Sequence, residues 1–237
     1  MRFRDRTDAG HQLGGVLAGR VDESAVVLAL PRGGVPVAAE VARALGFPLD
    51  VIVVRKLGVP SHPEYAMGAI GELGVRIIDG DVIRETGVSD DELARVDAVE
   101  RAELERRARR YRGDRTPLPL LGRTAVLVDD GMATGSTALA ASQVARMLGA
   151  RRVVLAVPGA AEQAVAELRR HVDDVVCVHT PAPFRSVGEW YSDFSQTSDD
   201  EVVRLLSEFD RPAPAPAAAP GLRHLEVAIR DGDVVVD

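Results

Sequence analysis

Hydrophobic residues in this chain form short continuous runs that alternate with longer stretches of helical spacing. Short runs rich in Val, Leu and Ala are typical of buried strands. They lie at 24–30, 49–54, 123–130, 151–157 and 175–178. Apolar residues spaced three and four apart predict helices after most of these runs. They lie at 35–45, 138–148, 161–170 and 198–209. This alternation predicts an α/β fold with a mainly parallel sheet, flanked by helices and connected by right-handed crossovers.

Two segments depart from the alternation and are predicted to be irregular. Residues 57–66 contain one glycine and two prolines and show no clear period. Residues 181–194 hold four of the nine aromatic residues of the chain. Aromatic side chains gathered beyond a strand edge suit stacking on a planar ring, whereas a small satellite core around Trp190 and Phe194 is the alternative interpretation.

The composition changes abruptly near residue 211. Residues 212–220 are all proline or alanine, which favours an extended, semi-rigid linker. Beyond the linker, apolar positions alternate around Asp231-Gly232, which is a hairpin signal. The chain is therefore predicted to divide into an α/β domain over 1–210, a Pro/Ala linker over 211–221 and a hairpin-like tail over 222–237.

Composition and charge argue against several classes of function. The net charge of −7 is unfavourable for nucleic-acid binding, because a phosphate backbone requires a basic face. No apolar run reaches the roughly 18 residues of a membrane-spanning helix, and residues 1–6 lack the apolar stretch of a signal peptide. The single cysteine, Cys177, cannot form an internal disulfide. These features predict a cytoplasmic protein with neither a nucleic-acid nor a membrane partner.

The stretch at 125–137, AVLVDDGMATGST, carries the clearest chemistry. Its apolar strand ends at Asp129 and Asp130, and a loop of small residues then leads into the next helix. Backbone N–H groups converge on an anion at such a helix start, and three hydroxyl side chains in the loop add donors. The two acids would repel a phosphate but suit hydroxyls or a divalent cation. Phosphate at one end and a diol at the other indicate a sugar phosphate.

A second strand–loop–helix unit contains the loop Pro31-Arg32-Gly33-Gly34. Two glycines beside an arginine suit a second anion, although a plain turn would have the same sequence. Lys56 is the only lysine among 29 basic residues and follows Arg55 at the end of an apolar run. Because an ammonium and a guanidinium differ in shape, a lone lysine indicates a site that needs the ammonium, with chance survival as the alternative.

The 125–137 stretch resembles the phosphoribosyl-diphosphate (PRPP) signature of type I phosphoribosyltransferases, which is an apolar strand, two acids, a short spacer and Thr-Gly-x-Thr. The resemblance implies that Asp129 and Asp130 face the ribose hydroxyls and hold Mg²⁺, the implied cofactor, directly or through water. The residues implied to bind PRPP with these acids are Gly131, Ala133, Thr134, Gly135, Ser136 and Thr137. Gly131 departs from the family, which usually has an aliphatic residue there.

The Arg-Gly-Gly of the other loop is similar to the family's pyrophosphate loop. The resemblance implies a cis peptide between Pro31 and Arg32, as family members often have one there. The residues implied to bind pyrophosphate are Arg32, Gly33, Gly34, Arg55 and Lys56. Arg32 and Lys56 join Asp129 and Asp130 as the implied catalytic residues.

Two further segments match family features by position. Residues 57–66 match the mobile catalytic loop, where His62 or Glu64 would handle a proton. Residues 181–194 match the small hood that binds the acceptor. The implied fold is therefore an α/β domain, its mainly parallel sheet flanked by helices, with a small hood and a flexible loop.

The resemblance implies a pentosyltransferase that moves phosphoribosyl from PRPP to a nitrogen acceptor, a nucleobase or a related compound, and releases pyrophosphate. The implied partners are PRPP and this small acceptor, and a homodimer is compatible with the family. Two alternatives stay open. One is a non-catalytic PRPP-binding regulator, and the other is a hydrolase of PRPP or of a nucleotide.

Overall fold

The computed structural model describes residues 2–209, 226–230 and 233–236. Its strands are β1 (Val26–Ala29), β2 (Leu49–Val51), β3 (Val54–Val59), β4 (His62–Gly71), β5 (Arg76–Asp79), β6 (Thr124–Val128), β7 (Arg152–Gly159), β8 (Asp174–His179), β9 (Glu226–Arg230) and β10 (Asp233–Val236). Its α-helices are α1 (Arg6–Leu17), α2 (Gly34–Leu45), α3 (Gly80–Thr86), α4 (Asp90–Arg112), α5 (Ser136–Met147), α6 (Glu162–Leu168) and α7 (Asp199–Ser207).

The central sheet has the strand order β2-β1-β6-β7-β8, and every neighbouring pair is parallel. Alternate residues of each strand enter different hydrophobic clusters, as the pleat requires. Val27 and Val126 lie in the cluster that contains α1, α2, α4 and α7. Val26 and Leu127 lie in the cluster that contains α5 and α6. The predicted α/β class, with a mainly parallel sheet flanked by helices, is confirmed.

The second sheet has the order β10-β9-β5-β4-β3. Strands β3, β4 and β5 pair antiparallel, β5 pairs parallel with β9, and β9 pairs antiparallel with β10. The backbone at 226–230 and 233–236 therefore adds two strands to this sheet. Both sheets contact α5, which packs on β6 and β7 of the central sheet and on β3 and β4 of the second.

The prediction of an irregular segment at 57–66 is wrong. Residues 54–59 and 62–71 form a β-hairpin, whose register shifts on both sides of Gly58. A Cβ atom on Gly58 would overlap the carbonyl oxygen of Pro63, so the strands approach closely at the shift. Bulges of this kind break the two-residue period on which strand prediction depends.

The apolar run at 49–54 also behaves differently from its prediction. It divides between the two sheets, because β2 ends at Val51 and β3 begins at Val54. Arg55 and Lys56 therefore lie inside a strand of the second sheet and do not end a strand of the parallel sheet. The prediction that Arg55 and Lys56 follow the carboxyl end of a parallel strand is wrong.

A buried ionic cluster lies where the chain passes between the sheets. Arg112, at the end of α4, pairs with Asp50 of β2 and with Glu72, which follows β4. Its guanidinium also donates to the carbonyl oxygen of Val51 at 2.9 Å. The Arg112 side chain is only 5% exposed, so these acceptors are needed to offset the loss of solvation. Through these ion pairs the end of α4 contacts both sheets.

The predicted Pro/Ala linker at 211–221 lies outside the described residues, and the division of the chain at this point stays a prediction. Among the helices that the structure describes, none is both long and apolar enough to cross a membrane.

Candidate active site

The loops that follow β1 and β6 lie side by side at the carboxyl edge of the central sheet. The N–H of Leu30 donates to the carbonyl oxygen of Val128 at 2.8 Å, so the two strands end together. In open α/β sheets, this edge is where ligands bind. The parallel sheet thus brings the two loops predicted to bind anions into contact, although about one hundred residues separate them in the chain.

The contact between the loops depends on glycine. A Cβ atom on Gly33 would overlap Oδ2 of Asp130. A Cβ atom on Gly34 would lie 2.5 Å from the carbonyl oxygen of Val128 and 2.9 Å from Cα of Asp129. Neither position has room for a larger residue. The Pro31–Arg32 peptide is cis, as predicted.

Asp129 and Asp130 stand at the end of β6 in different surroundings. Oδ1 of Asp129 accepts the backbone N–H of Asp130 at 2.9 Å. Oδ2 of Asp130 accepts a hydrogen bond from Nε of Arg6 at 2.8 Å and lies 2.8 Å from Nη2 of the same guanidinium. The hydroxyl of Tyr191 donates to the backbone carbonyl oxygen of Asp130 at 2.5 Å. Asp130 is therefore held at its side chain and at its backbone.

The electrostatics of the pair follow from burial and mutual repulsion. Burial, followed by the charge of Asp130, raises the pKa of Asp129 well above its ordinary value. Burial also raises the pKa of Asp130, but the guanidinium of Arg6 opposes that shift. Burial likewise raises the pKa of the Tyr191 hydroxyl. The pair is thus arranged so that Asp130 holds the negative charge more readily than Asp129.

Arg6 is a site residue that the sequence did not reveal. It belongs to α1 and lies 124 positions before Asp130. Its Nη1 donates to the carbonyl oxygen of Ser195 at 2.7 Å, and its Cζ lies 4.0 Å from the centre of the Phe194 ring. The chain has 28 arginines among its 29 basic residues, so no signal singled out this one.

The loop at 131–137 leads into α5 as the sequence predicts. Gly135 precedes the helix with a φ of +79°, a conformation that favours glycine. Ala133, Thr134 and Thr137 are exposed at this end of the helix. The hydroxyls of Thr134 and Ser136 lie 3.4 Å apart. The open helix start leaves backbone N–H groups and hydroxyls available to an anion.

Gly131 has a steric role of its own. It is buried, and a Cβ atom there would overlap the Cγ1 atom of Val187. The residue after the acid pair is therefore small because the 181–194 segment packs directly on it. This contact accounts for the departure from the family pattern at Gly131.

Arg32 points from its loop towards α7. Its Nη1 lies 3.7 Å from Oδ1 of Asp199, and its side chain is 37% exposed. The same Oδ1 accepts the hydroxyl of Tyr111 at 3.0 Å. Arg32 is thus in a weak, solvent-accessible pair, which leaves the guanidinium able to change partner.

Arg55 and Lys56 point to opposite faces of β3, as neighbours in a strand do. Arg55 donates to Glu100 of α4 at 2.6 Å. Lys56 donates to the carbonyl oxygen of Glu64 at 3.1 Å and to its carboxylate at 3.0 Å. Both lie on the hairpin and not in the two site loops. Their role in binding pyrophosphate stays a prediction.

The aromatic residues of 181–194 form a layer beside the acid pair. Tyr191 is buried and lies 5.5 Å from Phe3 and 5.0 Å from Phe194, measured between ring centres. Phe184 and Trp190 stack with ring centres 6.2 Å apart. Tyr191 is the buried member of the four and forms a small cluster with Phe3 and Ala9, whereas Phe194 is 38% exposed. A satellite core around Trp190 and Phe194 and a ring-stacking surface both stay predictions.

The side chains present suit a cation that the ligand brings with it. Among the described residues, no group of three or more His, Cys, Asp or Glu side chains could hold a metal ion. One oxygen of each acid is already engaged, by a backbone N–H in Asp129 and by Arg6 in Asp130. Mg²⁺ commonly keeps its waters and binds one or two carboxylates together with substrate phosphates. The acid pair fits that mode and not an all-protein cage.

A family model and two curated relatives that match this chain are all described as phosphoribosyl transferases. A family model described as "Phosphoribosyl transferase domain" matches residues 11–191. The "Putative phosphoribosyl transferase" of Mycobacterium tuberculosis strain H37Rv is 54% identical over 242 residues, which cover 99% of this chain and 54% of that protein. The protein of the same name in strain CDC 1551 gives the same figures. The chain thus spans about half the length of these curated relatives.

A solved structure supports the fold assignment. The crystal structure of the protein TT1426 from Thermus thermophilus superposes with a TM-score of 0.82 and is 46% identical in sequence. The match covers 88% of this chain and 99% of the other. The fold described above is therefore also that of an experimentally determined relative.

Proposed function

Because the chain belongs to the phosphoribosyl transferase domain family, we propose that it transfers phosphoribosyl from PRPP to a nitrogen acceptor. The bond between C1 of the ribose and the pyrophosphate oxygen breaks, and a bond between C1 and the acceptor nitrogen forms. Pyrophosphate leaves with the electron pair, and the acceptor nitrogen loses its proton. A nucleobase or a related planar compound is the proposed acceptor, and a homodimer is a compatible assembly.

The observation that carries this proposal is the contact between Gly33-Gly34 and the two acids. In PRPP the pyrophosphate is bonded directly to C1 of the ribose. A loop that binds the pyrophosphate must therefore lie in contact with the acids that bind the ribose. The 5′-phosphate would lie on the open start of α5, at Ala133 to Thr137.

In the proposed reaction, different side chains act on the ribose and on the leaving pyrophosphate. Asp130, whose charge Arg6 favours, is placed to stabilise positive charge that develops on the ribose. Arg32, with its weak partner Asp199, is available to the departing pyrophosphate. Mg²⁺ bound to PRPP oxygens would neutralise charge on the leaving group. Asp129 would take one ribose hydroxyl and fix the ring in position.

The test is incubation of the protein with PRPP, Mg²⁺ and a panel of nucleobases, with pyrophosphate release as the readout. Release that depends on one acceptor supports the transferase. Release without an acceptor indicates hydrolysis, and calorimetric binding of PRPP without release indicates a regulator. Absence of PRPP binding overturns the proposal.

A further inference from the structure

The guanidinium of Arg6 has polar partners along its edges and an aromatic ring against one face. Nε and Nη2 contact Oδ2 of Asp130, Nη1 contacts the carbonyl oxygen of Ser195, and the flat face lies on Phe194. The side chain is 12% exposed. A planar group with partners along its edges and on one face has little freedom to rotate. Asp130 therefore meets a cation that is itself fixed in orientation.

The segment that Arg6 contacts is attached to the same end of the chain. The N–H of Phe3 donates to the carbonyl oxygen of Trp190 at 2.9 Å. The N–H groups of Ser192 and Asp193 donate to the carbonyl oxygens of Phe3 and Arg4, both at 2.8 Å. Residues 3–6 and 190–195 thus form one unit, which we call the N-terminal clasp.

The clasp reaches the acid pair at two points. Arg6 holds the carboxylate of Asp130, and Tyr191 holds its backbone carbonyl oxygen. Tyr191 is 5% exposed and packs against Phe3. In the part of the chain that the structure describes, Arg6 is the only cation that pairs with Asp130. Removing Arg6 would free the carboxylate and would also remove the side-chain contacts of Arg6 with Ser195 and Phe194 that help to hold the 190–195 segment.

We propose that Arg6 is a positioning residue that aims the Asp130 carboxylate at the ribose and holds the 190–195 segment beside the acid pair. The identity of the ribose ligand rests on the proposed function, whereas the placement of the segment does not. A lysine at this position would keep the charge but lose the fork and the flat face. Arg6→Lys should therefore restore part of what Arg6→Ala loses.

The first measurement uses the full chain without ligand. Trp190 is the only tryptophan and belongs to the clasp, so its emission reports on this segment alone. In Arg6→Ala we expect a red-shifted emission and stronger acrylamide quenching, with Arg6→Lys in between. Phe194→Ala, which keeps the ion pair and removes the stacking face, should shift it less. Arg4→Ala is the control, because that side chain is 80% exposed and its ion-pair partner among the described residues is Asp8 in the next turn.

The second measurement separates KM from kcat for PRPP. Loss of a hydrogen-bonded charge partner should raise KM by about 10- to 100-fold in Arg6→Ala, with a smaller change in kcat. Arg6→Lys should recover part of this loss, and Arg4→Ala should equal the wild type. Thermal unfolding of each variant shows whether it is folded, and Arg6→Lys provides the test if Arg6→Ala is not.

Two results would overturn the inference. One is Trp190 quenching that equals the wild type in folded Arg6→Ala, or in Arg6→Lys if Arg6→Ala is unfolded. The other is an unchanged KM for PRPP in a folded Arg6 variant. A wild-type protein that binds no PRPP defeats the proposed function instead, and the ligand-free fluorescence still decides the placement of the segment.

Discussion

Two arginine–aspartate contacts lie on the two sides of the candidate active site, and they differ in strength. On the side proposed to bind ribose, which we call the ribose side, two nitrogens of Arg6 lie 2.8 Å from Asp130, with side chains 12% and 14% exposed. On the side proposed to bind pyrophosphate, which we call the pyrophosphate side, Arg32 lies 3.7 Å from Asp199, with side chains 37% and 31% exposed. The Arg6–Asp130 pair is short, involves two guanidinium nitrogens and is largely buried, whereas the Arg32–Asp199 pair is longer and solvent-exposed.

The difference indicates which side chains are already oriented in the absence of a ligand. A shielded, forked pair keeps its geometry, so the carboxylate on the ribose side is already oriented. A solvent-exposed pair contributes about 0–1 kcal/mol, so Arg32 can exchange Asp199 for an anion at little cost. The ribose side is a fixed template, and the pyrophosphate side supplies a cation that is free to move.

The largest effect is expected where the two sides touch. Gly33→Ala places a methyl group on Oδ2 of Asp130, the same oxygen that Arg6 holds. Either the carboxylate or the loop that carries Arg32 must move, so PRPP turnover should fall by about 100-fold or more. Gly15→Ala is the matched control, because a Cβ there meets nothing within 4 Å. Turnover of Gly33→Ala within about threefold of the wild type would show that the contact has no functional importance.

Removal of either charge on the ribose side comes next. Asp129→Asn and Asp130→Asn should each lose about 2–3 kcal/mol of transition-state stabilisation, roughly 30- to 150-fold in kcat/KM for PRPP. Both substitutions keep the shape of the side chain, so circular dichroism should be unchanged. Normal PRPP binding and turnover in both variants would contradict the assignment of the acid pair.

The two asparagine variants should differ in stability. Burial and the charge of Asp130 raise the pKa of Asp129, so its contribution to folding is lost as pH rises from about 4 through the raised pKa. Asp129→Asn removes this cost at pH 7 and should raise Tm. Asp130→Asn leaves Arg6 without its partner and should give a lower Tm than Asp129→Asn. Thermal unfolding at pH 7 and near pH 4 tests this ranking, and the advantage of Asp129→Asn should disappear at the lower pH.

The pyrophosphate side should tolerate loss of its protein partner. Asp199→Asn keeps an acceptor for the Tyr111 hydroxyl and removes only the charge opposite Arg32. We expect the affinity for PRPP to change by less than about fivefold, whereas Arg32→Ala should weaken it further. Isothermal titration of both variants provides the comparison. A large loss in Asp199→Asn would mean that the pair is a second fixed contact.

A similarly small effect is expected at Lys56. It is bound to Glu64 on the hairpin, and the Glu64 side chain is 99% exposed, so the ammonium can leave this partner. If an ammonium is required beside pyrophosphate, Lys56→Arg should reduce turnover by about three- to tenfold and Lys56→Ala by more. Equal turnover in wild type and both variants would favour chance survival of a lone lysine.

Features that depend on local sequence were predictable. The run at 123–130, the two acids after it and the small residues before α5 form one continuous stretch, so strand, turn and helix start could be recognised together. The cis peptide at Pro31–Arg32 was predicted from the same kind of local resemblance. The hairpin at 54–71 was missed because its register shifts beside Gly58 remove the alternation that identifies strands.

The sequence by itself determined the fold class, the acid pair and the two glycine-rich loops, because each depends on residues that are neighbours in the chain. The tertiary structure decided which charges meet. Arg6 pairs with Asp130 across 124 positions, Arg32 faces Asp199 of α7, and Tyr191 closes on the backbone of Asp130. An ion pair between distant residues has no period and no motif, since it forms only when parallel strands and the clasp bring the partners within a few ångströms.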